Sequence, residues 1–310
     1  MQRAVRNIDI AELWDSHSLN AGFIVVRPTQ ASRRLYSIIR HMTTVGGIDD
    51  QTALNRAVRT MKSESPSSLR VTVLDEHRFL SGVHYFELSG HVYPDREDDD
   101  CQPPSKCLLV VHNNWIVGKR AKIYRMREHL MWLYDGDDRY YSSETRNYLT
   151  LENPTPSENV STDVTGAELA ALKTALVVGY LLDRVVILPR FHCTRAHVQC
   201  PLNSIVHIET FEAVCAGRYR ENSFLINPKV PDSVKRGLIH QPLSVASNQS
   251  SVEHVTGDEV LRVFRQLSAK MLDVGNLQRV KIDFGDRPVD SDYISQLESA
   301  FRRARYRQDH

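Results

Sequence analysis

The chain is short of several things, and each shortage excludes something. Of its 310 residues, 14 are Gly and 13 Pro, too few for a low-complexity or linker-dominated chain. It has no excess of one charge: 39 Lys and Arg face 38 Asp and Glu, a net charge of +1. That balance removes the general electrostatic reason to bind nucleic acid or an anionic membrane, and leaves any phosphate recognition to local groups. No apolar run reaches the ~18–20 residues that a membrane span takes; the best stretch, Leu172 to Leu188, is interrupted by Asp183 and Arg184. The first residues, MQRAVRNIDIAELW, carry no apolar signal-peptide core. Cysteine is scarce too. Its five positions are 101, 107, 193, 200 and 215, a spacing that suits two small disulfide loops, Cys101 with Cys107 and Cys193 with Cys200, in an oxidising compartment, and that is too loose for zinc.

What is present is an ordinary globular composition, 41% apolar and 25% charged, in a chain long enough for two domains. Leu108 to Val111 is a short apolar strand that delivers His112, Asn113, Asn114 and Trp115, followed by Gly118, Lys119 and Lys122. A neutral imidazole there can ligate a divalent cation. The lysines can meet phosphate oxygens, and Gly118 lets backbone N–H groups approach them. The plain alternative is a strand ending in a polar turn, its His hydrogen-bonded and its lysines solvated.

Upstream, Asp9 to Trp14 reads as a turn of helix and Ala21 to Arg27 as a strand ended by Pro28. Thr29 or Ser32 caps a helix with Leu35, Ile38, Ile39 and Met42 at helical spacing. A second helix starts at Asp49 or Asp50, with Ala53, Leu54 and Val58 on its buried side. Strands follow at Leu69 to Leu74 and from Arg78, then an acidic loop around Asp98, Asp99 and Asp100, and after the His112 strand a basic helix over Lys122 to Leu133. Residues 136–165 are polar and loop-like. The domain division is therefore 1–140, a linker over 141–165, and 166–310.

In the second unit, Gly166 to Tyr180 is an apolar helix feeding a strand at Val185 to Leu188, the αβ half of a doubly wound unit. Further strands are read at Tyr219 to Asn227 and Val280 to Phe284, and helices at Val260 to Leu272 and Ser291 to Arg307.

Three separated pieces, LNAGFIVVRPT from Leu19, DDQTALN from Asp49 and VHNNWIVGK from Val111, resemble the nucleotide-diphospho-sugar transferase family that includes plant arabinosyl- and xylosyltransferases. The resemblance covers about residues 13–135. It implies an α/β fold: an incomplete GT-A-like nucleotide-sugar-binding domain followed by a second, Rossmann-like α/β domain. It implies metal-assisted transfer, with retention of configuration, of a sugar from a nucleotide-diphosphate donor to a glycan or glycoprotein acceptor in the Golgi or secretory lumen. His112 becomes a ligand of Mn2+ or another divalent cation. Lys119, or Lys122, neutralises the leaving diphosphate beside Gly118 and Asn114. Asn20 and Gly22 lie beside the donor sugar, and Asp50 with Gln51 faces the anomeric centre or the acceptor hydroxyl.

The family's Asp-x-Asp precedes its Asn-Gly strand, and only Asp9 imitates it here. The chain is accordingly expected to be a truncated or degenerate member, its ion weakly held and its turnover low. The alternative is a non-catalytic carbohydrate-binding or scaffolding relative on the same fold.

Overall fold

The computed structural model describes residues 8–15, 17–88, 108–132, 134–136, 139–151, 164–192, 199–200, 202–241, 253–264, 266–274, 277, 280–283 and 288–304. The chain divides into two compact units, Met1–Val117 and Gly118–His310. Both are α/β, with parallel pairing in each.

Unit 1 begins with strand β1 (Ile10–Asp15) and strand β2 (Ser18–Val26). They form an antiparallel hairpin in which Asp15 faces Ser18. The helical turn expected at Asp9 to Trp14 is therefore a strand. Its buried residues, Ile10, Ala11, Glu12 and Leu13, point to both faces of the sheet, so the run shows no period by which a strand could be told from a helix.

Helix α1 (Gln30–Thr44) starts at Thr29, whose hydroxyl accepts from the Ser32 backbone while the Ser32 hydroxyl accepts from Thr29 N, a reciprocal cap. Helix α2 (Asp50–Glu64) is capped by Asp49, which accepts from Thr52 N at 2.8 Å. Strand β3 (Val71–Val73) adds parallel to β1, giving the order β2-β1-β3. Both helices cover one face, burying Leu35, Leu54, Ala57, Val58 and Met61 against Ile10 and Leu19. Strands β4 (Phe79–Ser81) and β5 (Val110–His112) pair in parallel. Between them Val83–Leu88 forms one π-helical turn. The Phe23 and Phe79 rings, 5.8 Å apart, join β2 to β4.

Unit 2 opens with α3 (Lys119–Glu128) and continues with strand β6 (Asn147–Leu151), helix α4 (Val164–Leu181) and strand β7 (Arg184–Ile187). Residues expected to be part of a linker thus form a strand, and Tyr141 and Tyr148 pack in the core with Phe224 and Ile187. NYLTL is a five-residue strand between polar loops, too short to show a period. Two-residue strands β8 (Phe191–His192) and β9 (Gln199–Cys200) pair antiparallel. Then come α5 (Ile208–Cys215), β10 (Tyr219–Arg220), α6 (Asp232–Lys235), β11 (Leu238–His240), β12 (Glu253–Thr256), α7 (Gly257–Phe264), β13 (Met271–Val274), β14 (Val280–Asp283) and α8 (Pro288–Ala304).

The main sheet is parallel throughout, in the order β10-β7-β6-β13-β11. The chain winds outward from β6 through β7 to β10, then returns to β6's other side with β11 and β13, so the winding reverses between β6 and β13. The strand expected to run to Asn227 stops at Arg220, where a 3-10 turn over Asn222–Ile226 takes over. The helix expected over Val260 to Leu272 ends at Phe264, and Met271 starts β13 instead. Helix α4 is mostly apolar because most of it is buried, with Ala171, Leu172, Ala175 and Val178 fully covered and Lys173 paired with Glu298 on its open side. Among the described residues no helix is long and apolar enough to cross a membrane.

Candidate active site

In unit 1 the ends of β4 and β5 come up beside the start of β2. Asn20 is buried, and its Oδ1 accepts from Gly22 N at 2.7 Å. A Cβ on Gly22 would collide with the His112 imidazole and would stand 3.0 Å from Asn20 Oδ1. The glycine therefore creates the room in which the imidazole and the carboxamide converge. His112 faces Ser81 across the parallel ladder, and the Ser81 hydroxyl pairs with His84 Nδ1 at 2.7 Å. Asn114 Oδ1 accepts from Gly82 N at 2.6 Å, tying the end of β5 to the end of β4. Trp115 follows with φ +58°, left-handed and exposed.

Gln51 lies behind this group. Its Oε1 accepts from Ala21 N at 2.7 Å, while its Nε2 donates to Leu19 O at 2.7 Å and to Ser18 Oγ at 3.0 Å. Asn55, one turn on, accepts from Leu19 N and donates to Leu19 O. The Gln51 amide thus grips the backbone on both sides of Asn20. Asp50 is the exposed first residue of α2, and its Oδ1 accepts from Gln51 N at 2.8 Å. The structure brings Asn20, Gly22 and His112 together, with Gln51 clasping their strand from behind.

Gly118 and Lys119 belong to unit 2. Gly118, at φ +97°, leads into α3 without a side-chain cap, and the first turn carries cations and no acid. Glu209, at the start of α5, supplies what is missing. Its Oε1 accepts from Arg120 N at 2.6 Å and Ala121 N at 3.2 Å, and a side chain at position 118 would collide with it. The backbone donors expected to meet a diphosphate at this helix start are held by a carboxylate of the chain itself.

Asp9, the one residue that imitates an Asp-x-Asp, is structural. It accepts from Arg70 N, Nε and Nη2 and from the Thr29 hydroxyl. The Arg70 bond, chief among these, holds its carboxyl down at about 2. Among the described residues no three His, Cys, Asp or Glu side chains converge as a metal site. The groups shown about His112 are amides, hydroxyls and backbone, and a hard cation takes ~6–8 oxygen ligands when it is calcium, or near-octahedral oxygens when smaller. Among the described residues, those shown about His112 supply too few oxygen ligands for a resident divalent ion.

Sequence reasoning missed three groups. Glu12, on the central strand β1, is fully buried, and among the described residues both its carboxylate oxygens are unpartnered. Burial pushes its pKa up to about 7 against the pull of Lys62. In unit 2, Glu128 and Glu221 are buried near each other; burial and then Glu221's charge push Glu128 up to about 8. Glu221 accepts from the Tyr140 hydroxyl at 2.6 Å, and the Tyr140 ring has Arg127 at 3.5 Å and Arg220 at 3.9 Å from its centroid. No period or spacing announces such a network, because its members lie up to 94 positions apart. A third group crosses the switch in winding: Thr150, Asp273 and His240 stand side by side on β6, β13 and β11. Asp273 accepts from Thr150 at 3.0 Å and pairs with His240 Nδ1 at 2.9 Å.

The expected pairings of Cys101, Cys107 and Cys193, and the acidic loop at 98–100, lie outside the described residues. Cys215 is a buried free thiol whose pKa burial raises.

Residues 3–126 match the nucleotide-diphospho-sugar transferase family. The resemblance read from the Asn20, Asp49 and His112 segments is borne out there. Over 156 residues the chain is 24% identical to a UDP-galactose:fucoside alpha-3-galactosyltransferase of Dictyostelium discoideum. The alignment covers 46% of this chain and 22% of that protein's length. No solved structure matches.

Proposed function

We propose that unit 1 binds the sugar end of a nucleotide-diphosphate sugar, in transfer of the glycosyl group to a glycan or glycoprotein acceptor with retention of configuration. The observation that carries this reading is the convergence of Asn20, Gly22 and His112, with glycine as the residue that permits it. Glycosyl transfer passes through an oxocarbenium-like state. It is favoured by preorganised amide oxygens on the sugar side and by N–H donors to the departing oxygens. A carboxamide held to the backbone and an imidazole packed on a glycine are groups of that kind, fixed in place before a ligand arrives. The relative's galactose donor makes UDP-galactose the first ligand to try.

The test is calorimetric titration of UDP-galactose into the intact chain, with and without manganese, for the parent, His112→Ala and Gly22→Ala. Each variant is expected to weaken binding about tenfold or more, the loss of one or two charge-assisted contacts. Gly22→Ala acts by displacing the imidazole. Unchanged affinity in both variants would sink the assignment.

A binding protein without turnover is the second reading. It is favoured by the Gln51 amide, which both sides of the β2 backbone already engage. Donor binding without hydrolysis or transfer is its expected signature.

A further inference from the structure

The turn that leaves β5 carries an indole where neither the backbone nor burial favours one. Trp115 has φ +58° and is 57% exposed. The left-handed region suits glycine, or asparagine with its short polar side chain, and a bulky residue held there is strained. Exposure of so large a ring also forgoes the burial that usually settles a tryptophan. Two residues on, Val117 is 79% exposed, so the apolar surface of this turn extends beyond the one ring. Strain of this kind persists only where the surroundings fix it, and it gathers at ligand sites.

Here the surroundings do fix it. Asn114 N donates to His112 O at 2.8 Å, closing the turn on its own strand. Asn114 Oδ1 accepts from Gly82 N at 2.6 Å, fastening the same turn to the end of β4. Ser81, next to Gly82 and opposite His112 in the ladder, is itself buried and paired with His84 Nδ1. The indole is therefore mounted on a segment pinned at two points, three residues from the imidazole that Gly22 admits. A ring held in place before a ligand arrives binds at a lower ordering cost.

We propose that Trp115 is the platform on which the acceptor saccharide lies, and so a specificity-determining residue of the site in unit 1. The assignment rests on the sugar-handling reading of that site. A pyranose has a face of C–H groups rimmed by hydroxyls, and an exposed indole offers a flat apolar face with an N–H at its edge. Stacking of this kind uses one face of the ring and needs no opposing wall, because the hydroxyls stay with water. Depth separates acceptor from donor. Asn20 is buried and His112 half-buried, so the groups assigned to the donor sugar lie inside, whereas the ring stands toward solvent, where a glycan chain continues. Three residues span at most ~10 Å even when extended, which keeps the ring beside the sugar and away from a base that lies beyond two phosphates.

The experiment screens the intact chain on an array of oligosaccharides ending in each common pyranose, then titrates the strongest binder in solution without nucleotide. The parent should bind it, and sorbitol, a linear polyol with no ring face, should not compete. Trp115→Gly should weaken binding about tenfold or more, the loss expected for an aromatic anchor. The same variant should melt at the parent's temperature or above, since glycine relieves the left-handed strain. Trp115→Phe should keep part of the affinity, and Tyr36→Ala, at another exposed ring, all of it. UDP should bind the parent and Trp115→Gly alike. No binding across the array, indifference to Trp115→Gly, a lowered melting temperature in that variant, loss of UDP binding with it, or self-association that it abolishes overturns the proposal. The saccharide titration contains no nucleotide, so it can fail while His112→Ala still abolishes UDP-galactose binding, and the converse result would remove the donor reading alone.

Discussion

A buried carboxylate without a partner is an expensive residue, and Glu12 is one. It lies on the middle strand of the first sheet under the helices, close enough to Tyr36 to help raise that phenol's pKa, after burial, and to feel the charge of Lys62. Folded, the carboxyl keeps its proton up to about pH 7; unfolded, it releases it near 4.5. Between those values the native state holds the extra proton, so stability falls as pH rises from about 4.5 and levels off above about 7. Glu12→Gln is therefore expected to stabilise the chain at pH 8, by on the order of 1–3 kcal/mol, and to change little near pH 4. Urea denaturation of parent and variant at the two pH values checks this. A parent whose stability is flat across the window would show that Glu12 finds a partner in solution.

Asp9 works in the opposite direction. Its carboxyl is held at about 2 instead of 3.8, so its contribution is complete above the higher value and is lost as pH falls through the lower one.

At the scale of elements, the hairpin of β1 and β2 is fastened to α2 by two amides. Gln51 takes one N–H and one C=O of β2, and Asn55 takes both groups of Leu19. Backbone groups of the edge strand that the sheet leaves unpaired, and that α2 covers, are thereby satisfied from the side. The fastening also sets where Asn20 points, since the groups gripped lie on either side of it. Gln51→Leu, which keeps the volume and removes the amide, should lower stability by about 1–3 kcal/mol, the penalty for unsatisfied buried partners. Hydrogen exchange at the Ala21 amide should accelerate in the same variant. Protection equal to the parent's would mean that the strand holds its position without the latch. The α3 helix start is a comparable case: its cations suggested a phosphate site, but the carboxylate that meets its backbone donors comes from Glu209, 89 positions away.

At the scale of the molecule, the five-stranded parallel sheet of unit 2 has a graded interior. Strand β7 is buried at all four residues, and Tyr148 and Leu149 of β6 are fully covered. Edge strand β11 exposes Leu238 and Ile239 and is held laterally by the Asp273 to His240 pair. Hydrogen exchange should be slowest in β6 and β7 and fastest in β11. An inverted order would contradict the strand order given above.

The α/β class, the caps to within a pair of candidates each (Thr29 or Ser32, Asp49 or Asp50), the apolar α4 and the strand that follows it were legible in the chain. Each of these signals acts within a turn or two of itself. The convergence of Asn20, Gly22 and His112 was legible only as three segments carrying a family resemblance. Strand β1, strand β6 and the buried acids were not legible at all. Their short runs carry no clear period, and their partners lie far off in the sequence.

Taken alone, the sequence determined where helices α1 and α2 lie, that α4 is helical, and that residues near 20, 50 and 112 share one family pattern. Only the tertiary structure decided that a glycine at 22 makes room for the imidazole of His112, that Gln51 serves the backbone, and that Glu209 faces the start of α3. The reason is physical: caps and apolar spacing are local interactions, whereas these contacts exist only after strands distant in sequence have paired.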